Sequence, residues 1–289
     1  MNASSTVRPD VCREKEEGYI DSTQMGKTLS TGMLELHAAG RLTTIETLRE
    51  QLTRKNCAVR IYVASESKIS PVELYRKNRE AVLVIGSFGT CGKCGKFHAN
   101  TFATGFLVTS NGVMITNYHV VDNGAGEVLG AMTYHGEVYP VKEVLAADKG
   151  GDIAVLQLEG SGFPYLTLFP EDRIGSKVWV ISNPAQQFFT FTEGIISART
   201  VVTADGMQTR RIAVTAEYGG GSSGAPLFDE YGSVIGMVTG LKVVSHKPVS
   251  ESHNFHPGYP EMVINYCVPA ELILERFSAG PIKAPETEE

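Results

Sequence analysis

The feature that most constrains this chain is a train of short apolar runs beginning at Ala81. "AVLVIG", "ATGFLVT", "GVMITN", "EVYPVKEVLAA", "DIAVLQL", "KVWVIS", "GIISART", "RIAVTAE", "SVIGMVTG" and "MVINYCV" follow one another as far as Val268. Turn residues such as "SNG" (110–112), "ADG" (204–206) and "EYG" (230–232) separate them. Many short β-rich runs at this spacing demand a sandwich or a pair of barrels, because each strand must find partners on both edges. The texture before Ala81 differs. Residues 19–80 read as mostly helical. "TTIETLREQLTRK" spaces Ile45, Leu48 and Leu52 on one helical face, with Thr43 or Thr44 as cap. "SPVELYRKN" starts a helix with Ser70 as N-cap and Pro71 at its first position. Between them "CAVRIYVAS" (57–65) alternates like a strand, and "PAELILERF" (269–277) closes the chain as a helix.

Composition narrows the partners. The 289 residues carry a net charge of −6 with scattered Lys and Arg, so no basic field recruits nucleic acid or an anionic membrane. No run reaches the roughly 20 apolar residues of a membrane helix. The polar start "MNASSTVRPD" has no signal-peptide core, so the chain is either cytoplasmic or the mature form of an exported protein. Five cysteines (Cys12, Cys57, Cys91, Cys94 and Cys267) are too few for a disulfide scaffold.

Three local patterns carry chemistry. "VMITNYHVV" places His119 just past an apolar strand, "KGGDIAVLQL" places Asp152 before a buried one, and "YGGGSSGAPLF" sets Ser223 among glycines. Each alone is ordinary: a satisfied histidine, a strand-capping acid, a flexible loop. Together they answer one need. A neutral serine hydroxyl is a poor nucleophile, requiring a base in reach and an acid that fixes the base's tautomer. The oxyanion that follows needs two preorganised N–H donors. A glycine two residues before the serine lets the chain curl so that the Gly221 and Ser223 amides face one point.

These motifs, in the order His, Asp, Ser, resemble the chymotrypsin-fold serine proteases of the HtrA/Deg-type branch. "TNYHVV" is similar to the branch's "TN-x-H-V-V", and "GDIAVLQL" to its "D-[IL]-A-[VL]-L". "GSSGAPLFDEYGSVIGMVTG" is similar to its "G-N-S-G-[GA]-P-L-x-[ND]-x-x-G-x-V-[IV]-G". "SNPAQQFFTFTEGIISA" and "NYCVPAELI" resemble two further stretches of that domain, so the likeness covers roughly residues 72–277.

The resemblance implies an all-β fold of two packed six-stranded antiparallel β-barrels, with a C-terminal helix and a mostly helical N-terminal extension. It divides the chain into 1–18 (mobile), 19–71 (extension), 72–277 (protease domain) and 278–289 (tail). It implies a serine endopeptidase with Ser223 as nucleophile, His119 as base, Asp152 as orienting acid, and an oxyanion hole of Gly221 and Ser223 amides. Asp148 is a rival acid but lacks the "I-A-V-L" strand after it. Val238, Thr239 and Gly240 would pair with the substrate backbone. Glu217, six residues before the serine, either lies at the base of the primary pocket and selects Arg or Lys, or points elsewhere. No cofactor is required for catalysis. The partner is a protein or peptide substrate, on unfolded or exposed segments, and the branch suggests a periplasmic or secreted bacterial protein. Twelve residues follow Phe277, too few for the PDZ domain such proteins usually carry. The alternative is a protease fold retired to peptide capture or chaperone work.

One pattern stands apart. "CGKCGKFH" spaces Cys91, Cys94 and His98 as C-x2-C-x3-H, and its turn resembles a zinc-ribbon knuckle. A structural zinc, a Cys91–Cys94 disulfide and free thiols all fit. Cys57, Cys267, His246, His253 or His256 would supply a fourth ligand.

Overall fold

The computed structural model describes residues 18–63, 67–204, 206–244 and 262–283. Before the first strand set come α1 (Ser22–Ala38), α2 (Ile45–Gln51), β1 (Ile61–Val63) and α3 (Pro71–Asn78). The first strand set is β2 (Val82–Thr90), β3 (Phe97–Leu107), β4 (Val113–Thr116), β5 (Val128–Met132), β6 (Val138–Asp148) and β7 (Ile153–Leu158), with the short helix α4 (Tyr118–Asp122) after β4. The second is β8 (Lys177–Ser182), β9 (Thr190–Ala204), β10 (Met207–Val214), β11 (Pro226–Phe228), β12 (Val234–Val244) and β13 (Met262–Pro269). Helix α5 (Ala270–Leu274) and strand β14 (Pro281–Lys283) follow.

The helices begin where the chemistry allows. Asp21 accepts the Gln24 N–H at the start of α1, and Thr44 accepts the Thr47 N–H at the start of α2. Ser70 and Glu73 form a reciprocal capping box on α3, with Pro71 at the first turn. Leu29, Met33 and Leu36 of α1 recur at helical spacing and are buried in the same core as the first strand set. Each such side chain contributes about 2 kcal/mol by leaving water. The extension therefore shares a core with the barrel rather than hanging from it.

In the first strand set the order β2-β3-β4-β7-β6-β5 closes through antiparallel β2–β5 pairing. The second set requires a correction. Its strands close in the antiparallel ring β10-β13-β12-β11-β8-β9, but the fold is not the two antiparallel barrels alone that the sequence leads one to expect, because a parallel strand pair is added to it. Strand β11 has three residues and meets β8 through two residue pairs, Leu227↔Val180 and Phe228↔Trp179. Parallel pairing then carries the sheet outward. Val234 bridges Leu168, Leu168 bridges Val63, and β1 pairs in parallel with β14 from Ile61↔Pro281 to Val63↔Lys283. The segment read as a tail thus supplies a strand. Strand periodicity does not foresee this, because three-residue strands are shorter than one detectable alternation. Pro226, which lacks an N–H, and a bulge between Leu227 and Phe228 keep β11 short.

Candidate functional site

His119 lies on α4, directly after β4, with its side chain partly exposed. Asp152 sits in the turn entering β7, on a left-handed backbone (φ 61°) that Asp tolerates better than most residues. The turn aims its carboxylate at the imidazole: His119 Nδ1 lies 3.1 Å from Oδ1 and 3.0 Å from Oδ2. The His119 backbone N–H also donates to Oδ1 (3.1 Å), and Asn117 Nδ2 donates to the Asp152 carbonyl (3.0 Å). With its proton held at Nδ1 by a carboxylate, the imidazole presents a bare Nε2 lone pair. Asp148, the rival acid, instead faces Arg276 at 3.7 Å.

The Ser223 loop is folded back onto β3 and β4. Thr104 N–H donates to the Ser223 carbonyl (2.8 Å), and Thr104 Oγ1–H donates to the Gly221 carbonyl (2.8 Å). Thr116 Oγ1–H donates to the Thr104 carbonyl (2.8 Å), and Thr116 precedes Asn117 and His119 by one and three positions. Gly224, at φ 87°, passes so close to Thr104 and Thr116 that a Cβ there would overlap both. The loop that carries Ser223 is thereby packed against the strand that leads to His119. No His119–Ser223 side-chain hydrogen bond is present among the described residues. Such contacts are often loose without substrate.

Gly221 has φ 102°, and a Cβ on it would overlap the Asn183 carbonyl oxygen. Ala185 N–H donates to the Gly220 carbonyl (2.7 Å), and Ser222 N–H to the Gly219 carbonyl (3.0 Å). Among the described residues neither the Gly221 nor the Ser223 N–H is spent on another partner. Two free donors around one φ-positive glycine are what an oxyanion requires. Ser222 is fully buried, and its hydroxyl donates to Ser182 Oγ (3.0 Å).

The substrate-edge trio separates. Val238 is committed: its N–H donates to Ala225 and its carbonyl accepts from Gly224. At Thr239 the β12–β13 register shifts, and the bulge turns the Thr239 hydroxyl onto Asp152 Oδ2. Gly240 is exposed, and beyond Met237 no described strand covers the β11 side of β12. Glu217 is exposed, and its carbonyl accepts from Thr192 Oγ1 (2.9 Å). The neighbouring Tyr218 turns inward instead, its phenol donating to the Gly240 (3.0 Å) and Tyr266 (2.7 Å) carbonyls. Burial, then the nearby Cys267, raises the Tyr218 hydroxyl far above its ordinary range, so it stays a donor.

Several residues escape sequence reading. Thr104 and Asn183 lock the loop: Asn183 Nδ2 donates to the Leu83 carbonyl (3.1 Å) and to Thr104 Oγ1 (3.1 Å). Arg211 is buried and donates to the Gly150 carbonyl (3.4 Å) in the Asp152 turn. Burial lowers its pKa, while the Asp152 and Asp148 charges oppose that shift. The "SNP" signal marks Asn183, but no residue-type pattern marks Thr104 or Arg211. At the tip between β2 and β3, Cys91, Cys94 and His98 converge, their ligand atoms all within 4.8 Å of one another. Cys57 and Cys267 are buried and not part of that group. His246, His253 and His256 lie outside the described residues.

Comparison with known proteins agrees with this geometry. The trypsin-like peptidase domain family matches residues 103–237. A probable periplasmic serine endoprotease, DegP-like, of Chlamydia muridarum is 34% identical over 147 residues, covering 48% of this chain and 28% of that protein. An uncharacterized protein of Sinorhizobium fredii, y4bJ, is 28% identical over 215 residues, 73% of this chain and 32% of that one. Among solved structures, the serine endoprotease from Yersinia pestis superposes with a TM-score of 0.52 at 22% identity, covering 72% of this chain and 65% of that chain. The chain has a trypsin-like serine-protease fold related to the HtrA/DegP-type proteases. It spans about a third of the length of these curated relatives.

Proposed function

We propose that this chain is a serine endopeptidase whose protease unit spans residues 72–277, with 19–71 as an extension. The observation that carries the reading is the His119 ring held through Nδ1 by both oxygens of Asp152. In the reaction, His119 Nε2 takes the Ser223 hydroxyl proton as Oγ attacks the scissile carbonyl. Asp152 stabilises the imidazolium without taking its proton. The Gly221 and Ser223 amides receive the oxyanion, and His119 then gives its proton to the leaving amine. An acyl-Ser223 ester remains, and water attacks it by the same route. The free edge of β12 at Thr239–Gly240 pairs with an extended substrate backbone, which selects unfolded or exposed segments over folded ones. Relatives described as periplasmic favour a bacterial periplasmic setting.

The test is covalent labelling. A fluorophosphonate probe is expected to tag wild-type protein at Ser223 by peptide mapping, and to leave Ser223→Ala and His119→Ala untagged. Wild-type protein that stays unlabelled while hydrolysing no unfolded substrate would refute the reading.

Tyr218 sets the specificity in this reading. Five residues before Ser223, its phenol is tied to the Gly240 and Tyr266 carbonyls, and in this reading its ring takes up the depth of the primary pocket, whereas Glu217 is exposed and adds no charge there. Cleavage after small apolar residues is expected. Tyr218→Ala is expected to raise kcat/KM for Leu or Phe relative to Ala at the cleaved bond by about tenfold, as pocket volume alone allows. Glu217→Ala is expected to leave the profile unchanged. A peptide-library profile showing Arg or Lys preference that vanishes in Glu217→Ala would reverse the assignment.

A further inference from the structure

The hairpin tip between β2 and β3 is left over by the proteolytic reading. We propose that Cys91, Cys94 and His98 form a binding site for one thiophilic divalent cation, zinc foremost, through two thiolates and one imidazole nitrogen, with the fourth position open to water or an outside donor.

The backbone builds this knuckle before any metal is considered. Cys91 N–H donates to the Lys96 carbonyl (2.9 Å), and Gly95 N–H donates to the Cys91 carbonyl (2.8 Å). Gly95 takes φ 65°, which closes the turn and brings Cys94 back beside Cys91. His98 Nδ1 lies 2.9 Å from the Ala99 carbonyl, so its proton belongs there and Nε2 carries the lone pair. Metal-ligating histidines are usually fixed in this way, by a carbonyl or carboxylate on the other ring nitrogen.

Packing does not account for the trio. Cys94 and His98 are exposed, and Cys91 is only partly covered. A free cysteine is otherwise among the most buried of residue types, as Cys57 and Cys267 are here. Two thiolates and an imidazole match the softness of zinc, and Lys93 and Lys96 flank the turn with positive charge that offsets the thiolates. Metal would tie Cys91, directly after β2, to His98 in β3, a staple across the mouth of the hairpin.

The experiment uses the full chain, reduced and stripped with a chelator, then titrated with Zn2+ against a chromophoric chelator and separately with Co2+. One ion per chain is expected, with a Kd of about 1 μM or below. The Co2+ form is expected to show thiolate charge-transfer bands and the visible bands of a four-coordinate ion. Cys94→Ser and His98→Ala are each expected to weaken binding by more than about 100-fold, beyond the loss of a residue that merely orients a ligand. Circular dichroism checks that these surface variants keep the fold. Three results would overturn the site: no stoichiometric binding by reduced wild type, undiminished binding by Cys91→Ser/Cys94→Ser, or a Co2+ spectrum without thiolate bands. A Cys91–Cys94 disulfide that persists under reductant and excludes metal would equally assign the pair to a disulfide.

Discussion

Asp152→Asn is expected to lower kcat by about 10^4 with little change in KM, the loss seen when the orienting acid of such a triad becomes an amide. The geometry says why. Three donors converge on the Asp152 carboxylate: His119 Nδ1–H, the His119 backbone N–H and the Thr239 hydroxyl. An amide can accept on one side only. Its NH2 would face a donor, and the imidazole would relieve the clash by moving its proton to Nε2. That tautomer offers Ser223 a proton instead of a lone pair. The backbone gives no competing explanation, because Asn tolerates the left-handed conformation at 152 as well as Asp does. The thermal midpoint should therefore stay near wild type, and Ser223 labelling should slow in step with kcat. Asp148→Asn is the internal control. Its partner is Arg276 rather than His119, so activity should persist. A kcat for Asp152→Asn within tenfold of wild type would remove Asp152 from the mechanism, and a collapse in Asp148→Asn alone would hand the role to its rival.

What can be foreseen in the sequence divides along the range of the interactions. Strands such as Ile153–Leu158 and the capped helix at Ser70–Glu73 announce themselves because alternation and capping are local. His119 and Asp152 are legible because each stands in a short pattern of its own. The supports of the Ser223 loop are not. Thr104 lies 119 residues before Ser223, and a threonine in a strand carries no mark of the carbonyl it will serve. Ser22 Oγ, accepting the Phe188 N–H at 3.3 Å, comes from the helical extension, and Tyr75, donating to the Phe189 carbonyl at 3.1 Å, from the helix that follows it. Through them the helices before the first barrel clasp the 183–189 turn, whose Ala185, Gln186 and Phe189 all have positive φ. Such strained residues persist where surrounding structure holds them. The same limit explains the second sheet, where parallel bridges from Val234 through Leu168 to Val63 join segments far apart in the chain. It also explains Val238, which motif position places at the substrate edge but whose backbone groups are consumed by Gly224 and Ala225.

Gly221→Ala is expected to cut kcat by about 10^2 to 10^3, the worth of one oxyanion donor. Two obstacles act together at this position. A φ of 102° lies in the region side chains avoid, and the new methyl would overlap the Asn183 carbonyl oxygen. Neither neighbour can yield easily. Asn183 is buried and bonded to Leu83, Thr104 and Phe189, and the Gly221 carbonyl is fixed by Thr104 Oγ1. The peptide plane before residue 221 must therefore rotate, carrying its N–H away from the oxyanion position. The proposed triad is untouched, so the His119–Asp152 hydrogen bond should survive, and its Nδ1 proton signal should match that of the wild type. Labelling by a fluorophosphonate should fall with kcat, because the probe's phosphoryl oxygen uses the same donors. Gly220→Ala separates this account from general loop damage. No atom lies within 4 Å of where a methyl on Gly220 would stand, and its φ is not positive, so an alanine there fits. Wild-type activity in Gly220→Ala beside a crippled Gly221→Ala would locate the oxyanion donor at residue 221. Equal loss in both, or activity within about fivefold of wild type in Gly221→Ala, would show that this glycine serves the loop's shape and not the reaction's charge.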